Sequence, residues 1–275
     1  MRIAFVMRRS PQTRSSPILV TVIGLLAEWG VEVDVICPED DVIDLDAIRV
    51  DHDLYVLKSG SDMALSVAGA LDALGATTLN PYRTTLQCRD RVVVNRILQL
   101  AGVPIPETFV AVDVSRLGPL LEDGPLVVKP CRRSSGGAVQ VVWDVEELQD
   151  LGSPGRPVVA QRYHHSRGHD RKLYCLGDQL FGVMRVWPVR TSEDKVGEPF
   201  TVTPELREIA LLCRQALGIE LFGLDIIVSD GQPYVVDVDP FPGFKGVPDA
   251  ALRLADYIYA ARHPALATTV LAVAP

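Results

Sequence analysis

Three aspartates, Asp225, Asp237 and Asp239, are spaced so that folding could bring their carboxylates together. They lie in FGLDIIVSDGQPYVVDVDPFPGFKG, residues 222–246. Runs rich in Val, Ile, Leu and Phe flank Ser229 to Pro233, a turn-forming string, so the stretch reads as an antiparallel hairpin. Pairing Val228 with Tyr234 across that five-residue turn sets Asp225 opposite Asp237 and Gly223 opposite Asp239. Side chains alternate faces along a strand, so the three acids would share one patch. Like charges facing each other destabilise a sheet, so the patch calls for a cation, and hard oxygen donors favour magnesium or manganese. The competing reading is a row of acids on a solvated face, and a one-residue slip would turn Asp225 away. Against it, the residues around the acids are apolar on both parities, which suits a strand pair covered on both sides.

Other residues invite a phosphate. Pro125 to Lys129 and Ala138 to Trp143 read as strands joined by Cys131 to Gly137, a Ser/Gly/Arg tip. Its backbone N–H groups at Gly136 and Gly137 could wrap oxygens while Arg132, Arg133 and Ser134 add donors. Glycine-tipped hairpins without ligands are also common. Asp170 to Leu176 and Gln179 to Trp187 form a second hairpin around Gly177-Asp178. Pairing Leu176 with Gln179 places Asp170 opposite Arg185, with Lys172 on the same face. That is either a basic pair beside the acidic patch, suited to a polyphosphate, or a surface salt bridge. His164, His165 and His169 lack a carboxylate set nearby and read as a polar loop rather than a metal site.

The elements that must position these groups follow from pattern. Ile3 to Val6, Val31 to Cys37 and Leu54 to Leu57 read as strands, with helices over Pro17 to Trp29 and Ser61 to Leu74 between and after them. This alternation implies a small parallel sheet over the first 80 residues. It lacks G-x-G-x-x-G, so no dinucleotide site is expected. The loop Arg8 to Arg14 follows the first strand, and its arginines either meet an anionic substrate or are simply exposed. One helix is expected from Thr84 to Ala101, carrying Arg89, Asp90 and Arg91. Val158 to Tyr163 is a strand, and Pro204 to Leu217 and Ala250 to Ala261 are helices.

The whole chain bounds the function. Its 275 residues are 48% apolar and 23% charged, the composition of a soluble globular protein. A net charge of -8 without a basic run argues against general nucleic-acid binding. Five cysteines with no C-x-x-C pair suggest neither a disulfide framework nor zinc, and imply a reducing compartment. The apolar run at Ile3 to Val6 is too short for a signal peptide, no stretch reaches membrane length, and a cytoplasmic protein is expected.

With these pieces in order, residues 80–261 resemble the ATP-grasp superfamily, and within it the RimK-like carboxylate–amine ligases. The resemblance rests on NPYRTTLQCRDRVVVNRILQLAGVPIPETF, PLVVKPCRRSSGGAVQVV, VVAQRYHH, HDRKLYCLGDQLFGVMR, and FGLDIIV with YVVDVDPFPGF. It implies an α/β fold with α+β grasp lobes, preceded by a small parallel pre-ATP-grasp domain. The expected division is 1–80 for that domain, 81–160 for a linking helix and central lobe, and 161–275 for the C-terminal lobe.

By resemblance, Lys129 corresponds to the lysine on ATP phosphate, and Arg91 stands where a second lysine is usual. Ser134 and Gly136 fall on the phosphate lid, where Arg133 and Ala138 replace usual glycines. Gln161, Arg162, Tyr163 and His164 fall on the adenine-holding hinge. Lys172 and Arg185 correspond to the catalytic basic residues facing the transferred phosphoryl group, and Asp225, Asp237 and Asp239 to the metal ligands. The implied cofactors are ATP and magnesium or manganese. The implied reaction joins a carboxylate to an amine through an acyl phosphate. The Pro240-Phe241-Pro242-Gly243-Phe244 ending resembles the inositol phosphate kinases instead, which leaves phosphorylation of a polyol as the alternative. A module that binds nucleotide without turnover is a third reading, disfavoured by the intact lysine and acids. Partners are small molecules, and a homodimer is the base-rate expectation for a soluble enzyme.

Overall fold

The structure, a computed structural model, describes residues 1–8, 17–133, 139–151, 155, 157–188, 191, 194 and 196–261. The chain opens as a parallel unit: β1 (Arg2–Val6), α1 (Pro17–Glu28), β2 (Glu32–Ile36), β3 (Leu54–Leu57), α2 (Asp62–Ala73) and β4 (Thr78–Leu79). The strand order is β2-β1-β3-β4, every pair parallel. Central strands β1 and β3 are apolar on both parities because helices and the rest of the molecule cover both faces. Ser61 caps α2 by accepting from the Ala64 N–H, as its position predicts. The fourth strand has only two residues, too few to show a pattern.

The expected single helix over Thr84 to Ala101 is two, α3 (Tyr82–Gln87) and α4 (Arg91–Leu100). Asp90 breaks it. Its carboxylate accepts from the Val92 and Val93 N–H groups as an N-cap, and the Arg91 N–H donates to the Cys131 carbonyl at 2.8 Å. Arg89 and Asp90 therefore sit at the joint rather than within a helix.

A four-stranded antiparallel sheet follows. Its strands are β5 (Thr108–Ala111), β6 (Leu126–Pro130), β7 (Gln140–Val142) and β8 (Val158–Arg162), in the order β5-β8-β6-β7. Helix α5 (Val145–Asp150) and a 3-10 stretch at Val114–Asp123 close its own core, where Leu126, Leu148 and Ala160 are buried. The last sheet comprises β9 (His169–Leu176), β10 (Gln179–Val186), β11 (Glu198–Phe200), β12 (Leu221–Ser229) and β13 (Gln232–Asp239), in the order β11-β10-β9-β12-β13. Helix α6 (Pro204–Leu217) precedes β12 and α7 (Ala250–Ala261) follows β13. One face of this sheet packs on α4 and α6. The other face shares a core with the opening unit, in which Phe5, Leu19 and Leu26 meet Leu176, Leu221, Phe244 and Ile258.

The β12–β13 hairpin reaches the expected register by another route. Asp230-Gly231 is a two-residue turn with both φ positive, Ser229 faces Gln232, and Val228 faces Pro233 rather than Tyr234. A bulge then inserts Val236 between the pairs Ile226–Val235 and Asp225–Asp237. The two one-residue differences cancel, so Asp225 lies opposite Asp237 and Gly223 opposite Asp239.

Candidate active site

The bulge that restores the register also frees a carbonyl. Lys129, near the end of β6, donates from Nζ to the Val236 oxygen at 2.9 Å and to Gln161 Oε1 at 2.6 Å. Gln161, buried on β8, in turn donates to Asn95 of α4 at 3.2 Å. Burial pushes the Lys129 ammonium down to about 8, with the nearby Asp237 charge limiting the fall. Lys129 thus spans the seam between the antiparallel sheets and ends one residue from Asp237. Arg91, the first residue of α4, reaches the same place, donating to the Pro130 carbonyl at 2.8 Å and lying 3.5 Å from Asp237.

On the far side of the patch, β9, β10 and β12 supply the second basic group. Arg185 forks onto Asp170 at 2.9 and 2.8 Å and also donates to Asp225 Oδ1 at 2.7 Å. Lys172, facing Asp225 across the strands, donates to its Oδ2 at 3.0 Å. The Asp170 and Asp225 carboxylates hold the Arg185 guanidinium above its ordinary range against the opposing effect of burial. The expected pairing of Asp170 with Arg185 is therefore a partly buried network, not a surface salt bridge.

Among the described residues, no group of three or more His, Cys, Asp or Glu side chains is arranged to hold a metal. The charges of the patch are answered by side chains instead. Arg133, just beyond β6, forms an ion pair with Asp237 and lies 3.9 Å from Asp239, while Asp225 is held by Lys172 and Arg185. Burial alone would raise the Asp237 carboxyl; Arg133, Arg91 and Lys129 together hold it well below the usual carboxylate range. The oxygen-only donor set of Asp225, Asp237 and Asp239 still suits a hard divalent ion.

The hinge residues divide. Arg162 turns away from the patch, donating to the Leu120 and Gly124 carbonyls at 2.8 Å each, so any contact it makes with a base is left to its backbone. Its own N–H and that of Tyr163 are taken by the Glu107 and Pro125 carbonyls. The Tyr163 ring leans on Trp143, and His164 stacks on Tyr234 of β13 at 3.9 Å between ring centroids. Ser134 and Gly136 lie outside the described residues, as do Arg9 and Arg14.

Three further residues at the site escaped the sequence reading. Tyr234 carried no signal beyond its strand position. Asn95 would have been found four residues after Arg91 on one helical face. Lys58, from the opening unit, donates to the Phe241 carbonyl at 2.7 Å and sits 4.8 Å from that residue's ring, a contact across 183 positions that local pattern cannot reveal.

Comparisons with known proteins bear on the family. The family model described as RimK-like ATP-grasp domain matches residues 88–259. The alpha-aminoadipate–LysW ligase LysX of Saccharolobus solfataricus is 25% identical over 240 residues, covering 78% of this chain and 86% of that protein. The coenzyme gamma-F420-2:alpha-L-glutamate ligase of Methanococcus maripaludis is 30% identical over 190 residues, covering 64% and 67%. Among solved structures, a RimK-domain ATP-grasp protein of Sphaerobacter thermophilus superposes with a TM-score of 0.77 at 22% identity, covering 94% of this chain and 98% of that one. The inositol phosphate kinase resemblance finds no counterpart among these.

Proposed function

Because the chain belongs to the RimK-like ATP-grasp family, we propose how its own residues carry out the family's reaction, and on which amine. It is an ATP-dependent carboxylate–amine ligase that forms ADP and phosphate. One observation carries the assignment of residues: Arg133 on one side pairs with Asp237, Lys172 and Arg185 on the other hold Asp225, and Lys129 ends on the Val236 carbonyl, one residue from Asp237. Such a seam suits a triphosphate, whose transfer chemistry asks the protein mainly for positioning and charge.

In this reading Lys129 and Arg91 hold the phosphates, and the Lys129–Gln161–Asn95 chain fixes the ammonium at the seam. Asp225, Asp237 and Asp239 would hold magnesium or manganese, which supplies neutralisation of phosphate charge. Lys172 and Arg185 face the phosphoryl group as it passes from ATP to the substrate. A carboxylate oxygen attacks the γ-phosphorus and ADP leaves. The amine nitrogen then attacks the acyl carbon, phosphate departs, and the nitrogen loses a proton. The amine we assign is an acidic amino acid, a reading supported by the glutamate ligase of Methanococcus maripaludis among the relatives.

The test supplies ATP with a pool of carboxylates, with and without glutamate. ADP release should require both, hydroxylamine should trap a hydroxamate, and Asp237→Asn should abolish turnover. A phosphorylated polyol formed without any amine would replace the ligase by a kinase.

A further inference from the structure

Arg133 stands where the resemblance expects a glycine, and it pairs directly with the acidic patch. Its guanidinium pairs with Asp237 and approaches Asp239 at 3.9 Å, with the Arg133 and Asp237 side chains 24% and 23% exposed. The neighbouring cations do not make it redundant. Arg91 lies 3.5 Å from Asp237 and spends its other amino group on the Pro130 carbonyl, while Lys172 and Arg185 are committed to Asp225. Without Arg133, Asp237 would keep only the longer 3.5 Å approach of Arg91 and the nearby Lys129 charge, and Asp239 would lose the guanidinium 3.9 Å away.

The pose is also incompletely satisfied. Arg133 Nε is buried and has no hydrogen-bond partner, so one of its donors gains nothing from this contact. Its backbone, by contrast, is anchored, with the N–H donating to the Arg89 carbonyl at 3.0 Å where α3 meets α4. The arrangement is that of a long charged arm on a fixed post. Its planar fork binds phosphate oxygens at least as well as carboxylates.

We propose that Arg133 is a tethered counter-ion that holds the oxygens of Asp237 and Asp239 against a divalent metal until a nucleotide's phosphates draw it away. The inference rests on the reading of these aspartates as metal ligands. A bare ion must compete with the guanidinium. When metal and nucleotide arrive together, Arg133 gains another anion and the carboxylates are released. Metal and nucleotide binding are therefore positively coupled through one side chain.

Mn²⁺ is the probe, followed by electron paramagnetic resonance on the whole chain, with and without a non-hydrolysable ATP analogue. Without nucleotide, Arg133→Gln should bind Mn²⁺ about tenfold or more tightly than the parent protein, the scale set by losing a charge-assisted contact. Adding the analogue should tighten Mn²⁺ binding by the parent severalfold more than it does for Arg133→Gln, and an equal gain in both would overturn the proposal. Arg133→Lys, which keeps the charge, should stay close to the parent and serves if the glutamine variant does not fold. Equal Mn²⁺ affinity of Arg133→Gln and the parent without nucleotide would overturn the proposal, as would a lysine variant that binds the bare ion as tightly as glutamine is expected to. Failure of the parent to bind Mn²⁺ even with the analogue, or binding in Arg133→Gln that survives Asp237→Asn, would instead remove the metal-ligand reading beneath it.

Discussion

In its proposed role Lys129 holds a phosphate only while it carries a proton, and its burial brings the loss of that proton near to neutral pH. With the ammonium lowered to about 8, ATP affinity should be level below pH 8 and then fall by up to about tenfold per unit. Lys129→Arg, charged throughout, should flatten that fall. A binding profile for the parent that stays level to pH 9.5 would contradict the assignment. The linked effect on stability has the opposite sense. The unfolded chain holds this proton up to a higher pH, so the cost of burying the charge is present below about 8 and is relieved as pH rises. At this scale the sequence was informative where chemistry follows strand parity, as for Asp225, Asp237 and Asp239. It offered Arg133 only as a phosphate donor and was silent on Lys58, because their partners lie 104 and 183 positions away and depend on how the units meet.

Among the elements, the joint between α3 and α4 does the most for the site, because it sets the direction in which Arg91 leaves its helix. Asp90 holds that joint through the Val92 and Val93 N–H groups. Asp90→Ala should cost about 0.5–2 kcal/mol in urea unfolding and should raise the KM for ATP as Arg91 loses its bearing. A destabilised variant with an unchanged KM would separate the cap from the site. The break was legible in principle, since an aspartate followed by an apolar run is an N-cap signal. Unbroken apolar spacing across Arg89 to Arg91 concealed it. The bulge at Val236 was not legible, because an extra residue in a strand leaves no mark unless a glycine marks it. Strand β5, four residues between prolines and a 3-10 stretch, was too short to stand out.

For the molecule as a whole, Asn80 is the fastening between the opening unit and the last sheet. Buried to 1% exposure, it donates to the Leu221 and Pro240 carbonyls and accepts from the Leu221 N–H. Asn80→Ala leaves those groups unpaired and should lower stability by about 3 kcal/mol. A loss under about 0.5 kcal/mol, the ordinary range for surface changes, would show that water replaces the side chain. The parallel and antiparallel units were readable from alternation of pattern. Their shared core was not, since its members come from both flanks of the chain. The sheet of β5 to β8, between those flanks, keeps a separate core of its own. In a chimera, that middle piece could be exchanged for a relative's without repacking either flank's core, provided that the stitches at Lys129, Gln161, Arg91 and Arg133 and the His164–Tyr234 stack are matched.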